Sequence, residues 1–306
     1  MEFFGLGLMY TNRCNCECDI CGLNCTPQND EKMTVEEAKH YIDAAIKNNI
    51  RMIGFTGGEP LLYIHEIEEL LKYAVEKGIK RTTLTTNCYW AKDINVTYNN
   101  LKILKNSGID HIKVSCDRFH NGSIPLENIK NVLNVSNDIG LRVTLGCVVT
   151  KDEKEVYEIL RQLGDSVFGH SVTLYSCQYV GRSKEKIEKT DLYKKVVLNR
   201  CPECGTLIIT PNGNVYPCGA IHPIDSQIIC GNVKQVDLEE IINKIRNDAD
   251  FMHVFNCGVG DYYEYIHKKN PSYVFIDECE VCTKIFTVLS LSLIHISEPT
   301  RPLYIS

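Results

Sequence analysis

"CNCECDICGLNC", residues 14–25, places five cysteines in twelve positions. Cys14, Cys18 and Cys21 have the spacing C-x3-C-x2-C and fall in a loop after the first strand-like run. Three thiolates in one loop can converge on one face of a metal cluster. A four-iron cluster takes four thiolates, so three leave one iron with an open position, as a catalytic metal needs. The spacing also suits a zinc site with Cys25 as fourth ligand, and spacing alone leaves both open.

The whole chain has 306 residues, 44% of them apolar, enough for a large core in one or two domains. Sixteen cysteines behind an opening "MEFFGLGLMYTNRC" that has no charged-then-apolar leader favour metal or redox chemistry in a reducing cytosol over disulfides. The expected localisation is therefore cytoplasmic. The formal net charge is −6, and the basic stretch "GRSKEKIEK" (181–189) alternates with glutamates, so no nucleic-acid partner is expected. No apolar run reaches the roughly 20 residues of a membrane span. The tail "LSLIHISEPTR" (291–301) matches the translation of a sequencing-library adapter codon for codon. Residues 291–306 are therefore expected to be read-through and are left out of the fold.

Strand-like and helix-like segments alternate through the first half. The runs at 3–10, 51–56, 81–86, 111–116, 141–150 and 171–177 read as strands, with amphipathic stretches such as 35–49, 65–78 and 126–140 between them. Thr34 and Glu37 form a capping box, and Gly78, Gly108 and Gly140 stand where helices should stop. Six β-α repeats imply an α/β fold with a parallel sheet whose functional groups lie at the C-terminal strand ends. That rule gathers the cysteine loop, Gly57 to Pro60, Asn87, Ser115, Asp117 and Cys177 at one rim. After about residue 183 the pattern changes and cysteines recur, so a second, smaller domain is expected over 184–290.

"FTGGEP" (55–60) follows the second strand-like run. Its two glycines allow a close backbone approach, and Glu59 offers an anion to an ammonium group. Together with C-x3-C-x2-C, it resembles the radical S-adenosylmethionine (SAM) superfamily over residues 3 to about 180. The resemblance implies a partial (β/α)6 TIM-like barrel over 1–183, with a 4Fe-4S cluster on Cys14, Cys18 and Cys21. Its open iron would chelate SAM, whose reductive cleavage yields a 5′-deoxyadenosyl radical that takes hydrogen from the substrate. Gly57, Gly58 and Glu59 would hold the methionine amino group. Ser115 and Asp117 of "SCD" would face the ribose, with Cys116 turned toward the helices, and Asn87 and Arg182 are further cofactor-binding candidates. Cys16 and Cys25 are left as spectators.

In "CPECGTLIITPNGNVYPCG" (201–219) a turn at "PNGN" brings the flanking cysteines together, and "CEVC" (279–282) adds a pair. This resembles the twitch or SPASM auxiliary iron–sulfur domains of radical enzymes that modify peptides. It implies a second 4Fe-4S cluster on Cys201, Cys218, Cys279 and Cys282. "CPECG" is also a fair zinc knuckle that would use Cys204. Cys230 and Cys257 have no assignment. At finer grain, "TNCYWA" (86–91) and "SCDRFH" (115–120) resemble bacterial peptide epimerases. Such enzymes take a Cα hydrogen and return one from a thiol. Gly219 stands where a donor beside the hairpin cysteine would be, so Cys177 becomes the candidate donor. The implied partners are a precursor peptide and an electron donor of flavodoxin or ferredoxin type. The rivals are thioether or carbon–carbon crosslinking of a peptide, and a zinc-stabilised binding module.

Overall fold

In a computed structural model, residues 2–151, 154–201, 203–220 and 228–288 are described. Residues 291–306, expected from the sequence to be adapter read-through, lie outside them.

The six expected strands form as β1 (Gly5–Thr11), β2 (Met52–Gly57), β3 (Arg81–Thr86), β4 (His111–Ser115), β5 (Arg142–Val149) and β6 (Ser171–Ser176). Each pairs in parallel with the next. Between them run α1 (Val35–Lys47), α2 (Ile64–Glu76), α3 (Ile94–Asn106), the single turn α4 (Arg118–Asn121), α5 (Leu126–Ile139) and α6 (Lys154–Leu163). Period-two alternation sorts the strand residues. Leu6, Leu8, Phe55, Leu84, Val114 and Leu145 point to the helices and are buried in the main core. The opposite face carries mainly small or polar residues, in rows such as Gly7–Gly54–Thr83–His111. This arrangement is a partial, open barrel.

The helix ends obey the local signals. Thr34 accepts from the Glu37 N–H, and the Glu37 carboxylate accepts from the Thr34 N–H at 2.9 Å, closing the capping box of α1. Gly140 ends α5 in the left-handed region, with φ 65°.

The smaller region expected after 183 first extends the same sheet and then forms a core of its own. A short turn α7 (Ser183–Lys186) leads to β7 (Cys204–Ile209), β8 (Asn214–Cys218) and β9 (Gly231–Asn232). β7 pairs in parallel with β1, Gly5 opposite Thr206, so one nine-stranded sheet runs β6-β5-β4-β3-β2-β1-β7-β8-β9. The apolar run in "TLII" suits a buried parallel strand as well as a hairpin arm, and local pattern does not separate them. α8 (Leu238–Asn247) packs Ile241, Ile242 and Ile245 into the main core. α9 (Ala249–Cys257), α10 (Gly260–Lys269) and α11 (Glu278–Val288) build a core of their own, around Val254, Tyr262, Phe275, Val281 and Ile285. Among the described residues no helix is long and apolar enough to cross a membrane.

Replacing Thr34 by Ala removes one cap bond and is expected to lower folding stability by about 1 kcal/mol, read as a lower urea midpoint with an unchanged slope.

Candidate active site at two cysteine centres

β2 ends by pairing with the start of the cysteine loop. The Gly58 N–H donates to the Thr11 carbonyl at 2.7 Å, and the Glu59 N–H donates to the Arg13 carbonyl at 2.9 Å. A Cβ on Gly58 would lie 2.0 Å from the Arg13 oxygen, and one on Gly57, at φ 123°, would lie 2.3 Å from the Thr11 oxygen. The sequence suggested that these glycines admit a ligand; in the structure what they admit is the backbone of the cysteine loop. Further along, the Cys14 N–H donates to the Thr26 carbonyl at 3.1 Å and closes the loop. Within it Cys16 and Cys25 are buried, while Cys14, Cys18 and Cys21 are half-buried.

Glu59 is fully buried and braces this corner. Its carboxylate accepts from the Leu61 N–H at 3.0 Å, the Thr86 hydroxyl at 2.9 Å and the Asn87 N–H at 2.8 Å. Burial pushes the group up to about 7, against the pull of those three bonds. From there the Asn87 amide reaches Asn15 Oδ1 at 2.9 Å and lies against the Cys14 and Cys16 sulfurs at 3.8 and 3.7 Å. Asn87 thus joins the β3 exit to the cysteine loop.

Asp117, expected at the ribose, also bonds within the protein. Oδ1 caps α4 by accepting from the Phe119 and His120 N–H groups and pairs with His120 Nδ1 at 2.8 Å, while Oδ2 accepts from the Val148 N–H at 3.0 Å. Oδ2, with one bond, keeps a free lone pair. Ser115 ends β4 half-buried, and Cys116 is in the core as its alternation predicts. His120 was not singled out by sequence. Burial opposes its charge, but the Asp117 carboxylate outweighs burial and raises it above its ordinary value. The D-x-x-H spacing at a helix start is the signal that could have found it.

Arg182 holds the cysteine loop. Its guanidinium donates to the Cys18 and Cys25 carbonyls, both at 2.8 Å, and its N–H donates to the Cys21 carbonyl at 3.0 Å. Cys177 follows β6, its N–H donating to the Val149 carbonyl at 2.9 Å. It is buried in a small apolar cluster with Leu192 and Ile276, and burial pushes its thiol up to about 12. The neighbouring Gln178 amide donates to the Cys279 sulfur at 3.1 Å, so the sixth strand's exit touches the second cysteine centre.

At that centre Cys204 stands opposite Cys218 across β7 and β8. Cys201, Cys204, Cys218 and Cys282 lie within electrostatic reach of one another, and Cys279 within reach of Cys218 and Cys282. Cys230 is within reach of Cys218 as well, so six thiols are grouped where the sequence assigns four, and Cys204 and Cys230 are the additions. Burial pushes Cys218 up to about 12 and holds Cys279 and Cys282 well above the ordinary thiol value, so metal binding there must release protons. Among the described residues no three Cys, His, Asp or Glu side chains meet at single-ion distance. All-thiol donor sets at both centres fit iron–sulfur clusters, whose several irons spread their ligands apart.

Residues 8–163 match the radical SAM superfamily, and residues 201–283 match the SPASM iron–sulfur cluster-binding domain. The chain belongs to the radical SAM superfamily and is an enzyme of that class. Its cofactors are a 4Fe-4S cluster with SAM, and the SPASM domain implies an auxiliary iron–sulfur centre. The chain is 24% identical over 288 residues to YydG of Bacillus subtilis (strain 168), a protein named for peptide biosynthesis, covering 90% of this chain and 89% of that one. In fold it resembles Streptococcus suis SuiB bound to its precursor peptide SuiA, with TM-score 0.62 and 19% identity over 92% of this chain and 76% of that one. It also resembles anSMEcpe with bound AdoMet and a peptide, with TM-score 0.59 and 15% identity over 95% and 98% of the two chains.

Alanine at Cys14, Cys18 or Cys21 is expected to abolish SAM cleavage, while alanine at Cys16 or Cys25 leaves most of it. An inactive Cys25 variant beside an active Cys14 variant would move the ligand set to Cys18, Cys21 and Cys25. A second expectation concerns Glu59 in the cofactor-free protein. Its folded value, about 7, lies above the ordinary 4.5, so the folded state holds the proton more tightly than the unfolded chain. That stability is full below the unfolded value and is lost as pH rises through about 7. Thermal melts should decline over this window in the wild type and flatten in Glu59→Gln.

Proposed function

We propose that the chain epimerises a residue of a ribosomally made precursor peptide, with Cys177 as the hydrogen-atom donor. The observation that carries this reading is the position of Cys177, which follows β6 at the strand-end rim and adjoins Gln178, the residue in contact with Cys279. A peptide substrate is supported by YydG, named for peptide biosynthesis, and by the peptides in the SuiB and anSMEcpe structures.

Cys14, Cys18 and Cys21 would hold the first cluster, and Cys201, Cys218, Cys279 and Cys282, with Cys204 beside them, the auxiliary one. When bound, the first cluster and SAM supply the radical that removes a hydrogen atom from the peptide Cα. Glu59 would receive the SAM ammonium group, flanked by the Gly57–Gly58 backbone and Asn87, and Ser115 is the ribose candidate. Asp117 and Arg182 are further cofactor-binding candidates, and Asp117 also fixes the β4 exit and Arg182 the cysteine loop.

The high thiol value of Cys177 keeps it protonated near neutral pH. An S–H bond, not a thiolate, is what can return a hydrogen atom. The apolar cover of Leu192 and Ile276 keeps water from that bond. The peptide loses one hydrogen atom and gains one on the opposite face. The thiyl radical left on Cys177 is restored by one electron and one proton, the electron coming from a donor of flavodoxin or ferredoxin type.

A crosslinking outcome, thioether or carbon–carbon, is the second reading, favoured by Gly219: the hairpin offers no thiol directly after Cys218. Mass spectrometry of product made in heavy water separates the two. The wild type should add one deuteron, and Cys177→Ser should add none. A product two hydrogens lighter would establish crosslinking, and deuteration that persists in the variant would remove Cys177 from its role.

A further inference from the structure

The segment "CQYVGRS" (177–183) touches both cysteine centres. At its far end, Arg182 binds the carbonyls of Cys18, Cys21 and Cys25. Gly181 lies so close to the same loop that a Cβ on it would stand 2.6 Å from the Cys21 oxygen. At its near end, Gln178 Nε2 lies 3.1 Å from Cys279 Sγ. The turn between is closed on itself: the Ser183 hydroxyl donates to the Gln178 carbonyl and accepts from the Val180 N–H at 3.0 Å. Gln178 is therefore not a loose surface side chain. It is half-buried, and its backbone is anchored to the first cysteine loop on one side and to β5 through Cys177 on the other.

We propose that Gln178 is a positioning residue for the auxiliary centre, whose hydrogen bond to the Cys279 sulfur sets that cluster's reduction potential. The inference rests on Cys279 being an auxiliary-cluster ligand. A metal-bound thiolate has no proton to give, so the amide must present its N–H to the sulfur. The positive end of that dipole stabilises the more negatively charged, reduced cluster more than the oxidised one. Hydrogen bonds to cluster sulfurs and burial are two of the levers that set such potentials, and a half-buried bond is screened less than one in water. A neutral amide does this without adding a charge. Because the same turn grips the first cysteine loop, the Gln178 amide is located by the first centre while it acts on the second.

The test uses the full chain carrying Cys14→Ala, Cys18→Ala and Cys21→Ala, reconstituted anaerobically with iron and sulfide so that only the auxiliary cluster remains. In an EPR-monitored potentiometric titration, Gln178→Leu should shift the midpoint to more negative values at equal iron content. Gln178→Glu should shift it further, since a carboxylate repels the reduced cluster. An unchanged midpoint in both variants overturns the proposal. A measurement without any Gln178 substitution guards against a misfolded variant: electron spin-echo modulation of the reduced cluster, with the glutamine side-chain amide as 14N or 15N. A nitrogen coupling that changes with the label supports the bond, and its absence overturns it. Cys279→Ser separates the two levels of failure. If that variant keeps both iron content and midpoint, the ligand assignment itself is wrong. If it loses or shifts the cluster while the Gln178 variants do nothing, only the present inference fails. No peptide enters these measurements, so they stand apart from the stereochemical outcome.

Discussion

The contact between Gly58 and the Arg13 carbonyl is the constraint on which the rest of the site depends. It brings the end of β2 within backbone hydrogen-bond distance of the cysteine loop, and no side chain fits between them, because the atom a Cβ would strike belongs to the main chain. Close approach here fixes Glu59 next to the loop. Glu59 in turn fixes Thr86 and Asn87 at the end of β3, and Asn87 returns to Asn15 and the Cys14 and Cys16 sulfurs. The circuit closes through three hydrogen bonds of 2.8–2.9 Å, from Thr86 and Asn87 to Glu59 and from Asn87 to Asn15, with two longer contacts to sulfur. Such a ring moves as a unit, since loss of any member leaves a buried polar group without a partner.

Much of this was legible locally. The strand runs, the Thr34–Glu37 box and the stop at Gly140 are decided by residues a few positions apart, and they formed as read. What was not legible depends on partners far away in the chain. Pairing of β7 with β1 joins residues about 200 positions apart in sequence, and nothing in "TLII" names its neighbour. Arg182 reads as a cofactor ligand because a cationic side chain after a strand is equally suited to an anion or to carbonyls. Only the folded loop shows that three carbonyls converge there. The same holds for Asp117, whose capping partners are local but whose bond to Val148 crosses from β4 to β5.

A common logic links these surprises. Metal clusters need ligands held at set separations, yet loops are the least constrained parts of a barrel rim. Here polar residues at the strand ends bond to one another and, through Asn87 and Arg182, to the cysteine loop, so the rim is tied together by its own side chains. The motif residues therefore hold the rim in place, a role that the sequence motif does not show.

The two buried carboxylates differ in how they are partnered. Asp117 accepts four hydrogen bonds, one of them from the imidazole of His120, whose charge that pairing favours. Glu59 accepts three, all from neutral donors, and burial still pushes it up to about 7. Glu59 has no charged group bonded to it and feels His120 only at a distance, whereas Asp117 bonds the His120 imidazole directly. Bringing an ammonium group to Glu59 would favour its charged form. Of the two acids at this rim, Glu59 is the one that burial leaves without a directly bonded ionisable partner, and the glycines before it pack on the cysteine-loop backbone.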